Sequence, residues 1–182
     1  MPKSQSLTIS YPTGVNVVHS NCFISVGYDP KSPPDPLPQA IEFGAIWDTG
    51  ASASVITQEV VDKLGLVAMG MTKVHGVAGE TTAEQYLVNI MLMKDVEFHG
   101  FTVTKGILAG GPGVLIGMDV IGKGDFAITN LNNKTCMTYR YPSCVRLDFV
   151  EEHRRKERLD AFVAAKTNRN GAKKPRGRKR GR

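Results

Sequence analysis

A closed, barrel-like all-β domain is what this sequence predicts, on three observations. Short β-branched and aromatic runs recur through the first 140 residues. Glycine- and proline-bearing turns separate them. Helix-forming stretches between them are too few for alternating βαβ units.

The elements follow in order. Leu7–Ile9, Val15–Val18 and Phe23–Tyr28 are expected to be strands. Residues 29–38 carry five prolines and cannot lie inside a sheet, so a surface loop is expected there. Ile41–Trp47 is a strand ending at Asp48-Thr49-Gly50, and further strands are predicted over 72–77, 82–93, 96–104, 114–116, 126–131 and 135–139. Thr57 is placed to cap a short helix over Gln58–Leu64, with Gly65 just past its end. A second helical turn follows Gly117. Asp148, three residues before Glu151, starts a third helix that ends near Lys166, with Glu151–Arg155 and Glu152–Lys156 as i, i+4 pairs and Leu159, Phe162 and Val163 as its apolar stripe.

Charge divides the chain into different objects. Residues 1–150 hold 10 Lys and Arg against 13 Asp and Glu, a net of −3, whereas residues 151–182 hold 13 against 4, a net of +9. The expected organisation is a domain over 1–145, a helix over 146–166 and a disordered basic tail over 167–182. No apolar stretch approaches the roughly 20 residues of a membrane span, so no membrane contact is expected, and the N-terminus lacks the apolar core of a signal peptide. Three cysteines, Cys22, Cys136 and Cys144, form no C-x-x-C pair and read as free thiols of a cytoplasmic protein. The four histidines show no ligand spacing, so neither a metal nor another cofactor is expected.

The segment Ala45-Ile46-Trp47-Asp48-Thr49-Gly50-Ala51-Ser52 carries the chemistry. An apolar strand delivers one carboxylate to its end, and small residues let backbone amides approach it. Downstream stand a glycine-bearing hairpin, Val74-His75-Gly76-Val77-Ala78-Gly79-Glu80, and then Val114-Leu115-Ile116-Gly117-Met118-Asp119, an apolar strand breaking at glycine. Each motif alone is weak, and Asp-Thr-Gly by itself suits an ordinary turn. Together, in this order, they resemble the retropepsin family, the single-domain aspartic proteases of retroviruses and their bacterial relatives. The resemblance covers about residues 40–140 and includes Gln85-Tyr86 at the far end of the hairpin. Methionine after Gly117 is closer to the cellular and bacterial members, while His75 and Ala78 stand where retroviral flaps commonly carry glycine.

The resemblance implies an acid-protease barrel that works as a homodimer on a peptide or protein substrate. Asp48 would be catalytic, paired with Asp48 of a second copy. Thr49 would bond across the dimer axis, Gly50 and Ala51 would shape the loop beside the attacking water, and Ile116 and Gly117 would support it. Gly76, Val77, Ala78 and Gly79 would form the flap over the substrate. Two carboxylates about 3 Å apart share one proton, so the pair serves as acid and base at once. The chain has no second Asp-Thr-Gly or Asp-Ser-Gly, so a two-lobed monomer is not expected. Alanine at 51 accompanies, in the family, activity nearer neutral than pepsin's.

Two further readings belong beside this one. The same fold could hold a peptide with little or no turnover while the tail touches nucleic acid. That contact would be non-specific and salt-sensitive, since no aromatic residue lies beyond Phe162 to stack on bases; a merely solvated tail is the equal alternative. Asp119 is expected to cap backbone N–H groups rather than to act as a catalytic partner.

Overall fold

The computed structural model describes residues 4–76, 79–92 and 96–171. Val77 and Ala78 of the expected flap, and residues 172–182 of the basic tail, lie outside the described residues. The chain divides into two compact units, one ending at Cys144 and one starting at Val145.

The first unit is built from strands β1 (Gln5–Ser10), β2 (Val18–Val26), β3 (Ile41–Trp47), β4 (Val55–Ile56), β5 (Gly70–Gly76), β6 (Gly79–Leu92), β7 (Val96–Lys105), β8 (Val114–Ile116), β9 (Asp125–Thr129) and β10 (Cys136–Tyr141). Two helices interrupt them, α1 (Gln58–Leu64) and α2 (Met118–Ile121). The order β2-β3-β8-β4-β7-β6 returns to β2 through a β2–β6 ladder, which closes a six-strand barrel; β5 hangs from β6 as an edge. A separate sheet, β1-β10-β9, packs its apolar face on the barrel core through Leu7, Met137 and Tyr139. The predicted all-β closed barrel is present, and closing the ring removes all but a few strand edges.

Period-two burial explains the strands. In β3, Phe43, Ala45 and Trp47 are buried while Glu42 and Gly44 face outward; in β8, all of Val114, Leu115 and Ile116 are buried, as befits a central strand covered on both sides. Trp47 joins barrel to small sheet: its ring stacks on Phe126 at 5.6 Å, lies 5.4 Å from Tyr139, and its Nε1 donates to Ser20 Oγ at 2.9 Å. Cys22 is fully buried, and burial, with Glu42 adding to it, pushes its thiol up to about 12, which leaves it unreactive.

Several expectations change. Val15–Val17 is not a strand: Val15 N–H donates to Thr135 Oγ1 at 3.0 Å and Thr135 N–H to Thr13 O at 3.2 Å, so this stretch bridges toward β10 and the strand begins only at Val18. Val18 and Phe23 then lie on one continuous strand rather than two. Thr57 makes no side-chain cap; its hydroxyl is buried without a partner, and the backbone fixes the helix start instead, Thr57 N–H donating to Gly113 O at 3.0 Å. Gly65 does end α1 in the left-handed region, φ 60°.

The second unit contains α3 (Phe149–Gly171), which runs past the expected end near Lys166. Asp148 Oδ1 accepts the Glu151 N–H at 3.1 Å, as the capping pattern predicts. Glu151 pairs with Arg158 at 3.0 Å rather than with Arg155, because two full turns bring those side chains onto one face as well. No helix among the described residues is long and apolar enough to cross a membrane.

Candidate functional site

Three strands set up the site. β3 runs parallel to β8, with Ala45 opposite Val114, Ile46 opposite Leu115 and Trp47 opposite Ile116. β4 flanks the other side of β8 antiparallel, Val55 opposite Leu115. The chain leaving β3 therefore has to pass over the end of β8 before it re-enters the sheet, and residues 48–54 make that passage. Asp48 sits at its start, half-buried, where the apolar strand stops.

Backbone bonds tie the loop to β8 and α2. Asp48 N–H donates to Ile116 O at 3.0 Å and Met118 N–H to Ala51 O at 2.8 Å. Gly50 N–H donates to Asp48 Oδ1 at 2.8 Å, which holds the carboxylate against its own turn. A Cβ on Gly50 would stand 3.1 Å from that same oxygen, so glycine here keeps the approach open. Gly117 has the same logic at closer quarters: a Cβ would meet Ala53 C at 2.6 Å and Ala53 O at 2.7 Å, both backbone atoms.

A side-chain network that sequence reasoning missed completes the brace. Ser54 N–H donates to Asp119 Oδ2 at 2.8 Å, Ser54 Oγ donates to Asp119 Oδ1 at 2.7 Å, and Gly117 N–H donates to Ser54 Oγ at 3.0 Å. Asp119 also accepts the Val120 N–H at 2.9 Å. Asp119 thus accepts backbone N–H groups, as expected, but one comes from the far side of the loop. Its oxygens are committed to Ser54 and Val120, so it locks the loop and offers no partner to Asp48. The signal was a buried serine six residues after the aspartate, readable only once β4 and α2 are known to meet.

The other predicted residues divide between this loop and the β5–β6 hairpin. Thr49 is exposed, and among the described residues its hydroxyl has no hydrogen-bond partner. Ile116 is fully buried behind Asp48. Gly76 and Gly79 end the β5–β6 hairpin as a facing pair, with Gly79 at φ 112°, and Lys73 and Glu80 pair across it at 2.6 Å. At the hairpin base the structure adds a cluster that the sequence did not announce: Lys105 Nζ pairs with Glu84 Oε2, which also accepts the Tyr86 hydroxyl at 2.9 Å. Hydrogen bonds from Lys105 and then Tyr86 hold the Glu84 carboxyl below its ordinary range, and Glu84 in turn raises Lys105. Among the described residues no cluster of three His, Cys, Asp or Glu side chains could hold a metal.

Comparison with known proteins bears on the same stretch. Residues 39–120 match the family described as "Aspartyl protease", which spans the loop, the hairpin and Gly117. Among solved structures, a retropepsin-like aspartic protease from Rickettsia conorii is similar at 16% identity and a TM-score of 0.46, over 76% of this chain and 95% of that one. No curated protein matches the sequence.

Proposed function

We propose that the chain is an aspartic endopeptidase that acts as a homodimer, a reading supported by the match of residues 39–120 to the family described as "Aspartyl protease". The observation that carries the reading is Asp48 itself, at the end of an apolar strand, bonded by the Gly50 N–H and braced from behind by Ile116. One such loop per chain supplies half of a dyad. Two copies facing each other across a two-fold axis complete it, and the exposed Thr49 beside each Asp48 supports such an approach.

The chemistry follows from two like charges about 3 Å apart, which hold one proton between them. The ionised Asp48 takes a proton from water while the protonated one hydrogen-bonds the scissile carbonyl oxygen. Water oxygen attacks the carbonyl carbon, and the tetrahedral adduct collapses as the leaving nitrogen gains a proton from the dyad. No covalent enzyme intermediate forms. Gly76 to Gly79 serve as the flap over the bound peptide, and Ala51 and Gly117 keep the loop in register. Free thiols at Cys22, Cys136 and Cys144 support a cytoplasmic setting. The +9 of residues 151–182 supports at most a non-specific, salt-sensitive contact with nucleic acid.

The test is a peptide library incubated at pH 4–7 with the wild type and with Asp48→Asn. The substitution removes the acid–base pair and is expected to lower turnover by about 10²–10⁴-fold. Equal cleavage by both proteins sinks the reading. Sedimentation across the same concentrations is expected to show cleavage rising with the dimer fraction; a fully active monomer would remove the shared-dyad mechanism.

A further inference from the structure

The Glu84–Lys105 pair borders a groove at the base of the β5–β6 hairpin. β7 ends beside the loop: Thr104 N–H donates to Ser54 O at 3.2 Å, and Lys105 pairs with Ile56 in the next register position. Across the antiparallel ladder, Thr104 faces Gln85, and the same register continued by one residue puts Glu84, at the hairpin base, opposite Lys105. Between the hairpin and the segment after Lys105 lies a groove of about 650 Å³. Its walls are Met71, Val74, Thr82 and Ile107, and its charged groups are Glu84 and Lys105. Ile107 is fully exposed and Met71 is 60% exposed, so the groove is open along an apolar rim.

The pair keeps unused hydrogen-bonding capacity. Glu84 Oε2 takes both Lys105 and the Tyr86 hydroxyl, and among the described residues Oε1 has no partner. The Lys105 ammonium has three donors, of which Glu84 engages one. Both side chains remain about a third exposed, at 31% and 34%, so these free groups border the groove. A free acceptor therefore stands beside free donors. A basic side chain entering there gains Glu84 and meets Lys105; an acidic one gains Lys105 and meets Glu84. A purely aliphatic one strips water from both without replacing it. A side-chain carboxamide offers its oxygen to Lys105 and its NH₂ to Glu84 Oε1, and satisfies both.

We propose that Glu84 and Lys105 are specificity-determining residues of the cleft, and that they select a substrate bearing asparagine or glutamine at the one position seated in this groove. The inference rests on the peptidase reading above. It extends that reading from a reaction to a substrate class.

The experiment uses the full chain and peptide mixtures randomised one position at a time, with relative kcat/KM read by mass spectrometry. For the wild type, one position is expected to favour Asn or Gln over both Lys and Glu by about tenfold, the worth of one net hydrogen bond to a charged group. At that position Lys105→Met is expected to shift preference toward Lys and Arg, and Glu84→Gln toward Asp and Glu, with other positions unchanged. A merely structural pair would lower all peptides alike in both variants, and that result overturns the proposal. Where a single variant fails to fold, the exchange Glu84→Lys with Lys105→Glu restores the pair: retained carboxamide preference supports the proposal and its loss overturns it. Cleavage that depends on Asp48 but shows no opposed shifts overturns this inference alone. Absence of any cleavage by the wild type overturns the peptidase reading and this inference with it.

Discussion

The loop that carries Asp48 and the β5–β6 hairpin are held in opposite ways. Residues 48–54 are bonded at Asp48, Ala51 and Ser54 to Ile116, Met118, Gly117 and Asp119, with Ile116 and Val120 fully buried beneath. From Gly70 to His75 and from Gly79 to Thr82 no residue is buried, and β5 pairs with β6 alone. One region is fixed by neighbours from three elements; the other rests on its own ladder and on the Glu84–Lys105 tie at its base. Local opening costs least where buried contacts are fewest. The contrast suits a reaction that needs a fixed carboxylate and a movable hairpin, and it can be tested from both sides.

The largest effect is expected where the loop touches β8. Ile116→Ala removes a fully buried side chain from behind Asp48 and should destabilise the first unit by about 2–5 kcal/mol. Gly117→Ala adds a methyl 2.6 Å from backbone carbon, which no rotamer change can relieve, and should cost about 1–3 kcal/mol. Denaturant titration of each variant checks both values. A Gly117→Ala protein as stable as the wild type would mean the loop yields more easily than its bonds suggest.

Next comes Asp119→Ala, which strips acceptors from Ser54 N–H, Ser54 Oγ and Val120 N–H. A loss of about 1–3 kcal/mol is expected. Because the network positions the loop, kcat should fall while KM changes little. Asp119→Asn keeps one acceptor oxygen and can donate to Ser54 Oγ, so it should recover part of the activity. If both substitutions behave alike, the carboxylate acts only through charge and the bracing account is wrong.

Much of this contrast was legible in the residues, and the missing part has a physical reason. The strand delivering Asp48, the central Val114–Ile116 strand and the hairpin all show in local patterning, because period-two burial and glycine breaks are local signals. β4 does not, since two residues carry no period. The β2–β6 ladder that closes the barrel joins strands separated by the whole Asp48 loop, and nothing near either strand specifies it. Thr57 shows the same limit at one residue: its identity suggested a side-chain cap, but the chain passing at Gly113 supplied the hydrogen bond. Asp119 showed in sequence only as a cap for backbone N–H groups, and it becomes the partner of Ser54 only when β4 and α2 meet.

A smaller effect should separate hairpin from loop by their kinetics. Met71→Ala trims an exposed side chain on β5, where surface substitutions change stability by about 0.5 kcal/mol or less. Its effect should fall on KM for peptides that fill the groove, with the unfolding midpoint unmoved. A shift of the midpoint comparable to that of Asp119→Ala would show the hairpin to be as tightly coupled to the core as the loop is, and the contrast would fail.

The smallest effect near neutral pH lies at the end of the first unit and depends on acid. Asp125 accepts Ser143 Oγ at 2.6 Å, the Cys144 N–H at 3.0 Å and the Arg140 guanidinium at 2.7 and 2.9 Å. The Ser143 and Cys144 bonds first, and Arg140 after them, hold its carboxyl well below the usual carboxylate range. A group whose folded pKa is depressed contributes stability above its unfolded value, about 3.9 for aspartate, and loses it as pH falls toward the folded value. Thermal midpoints should therefore be flat in this contribution above about pH 5 and decline below about pH 4, with Glu84 adding to the same limb. Asp125→Asn should lower the neutral midpoint and make the acid decline shallower, while the loop, whose bonds to Ile116 and Met118 are backbone bonds, is untouched. An acid limb equally steep in the variant would assign the decline to other carboxylates and leave the clasp at Ser143 and Cys144 without a role in it.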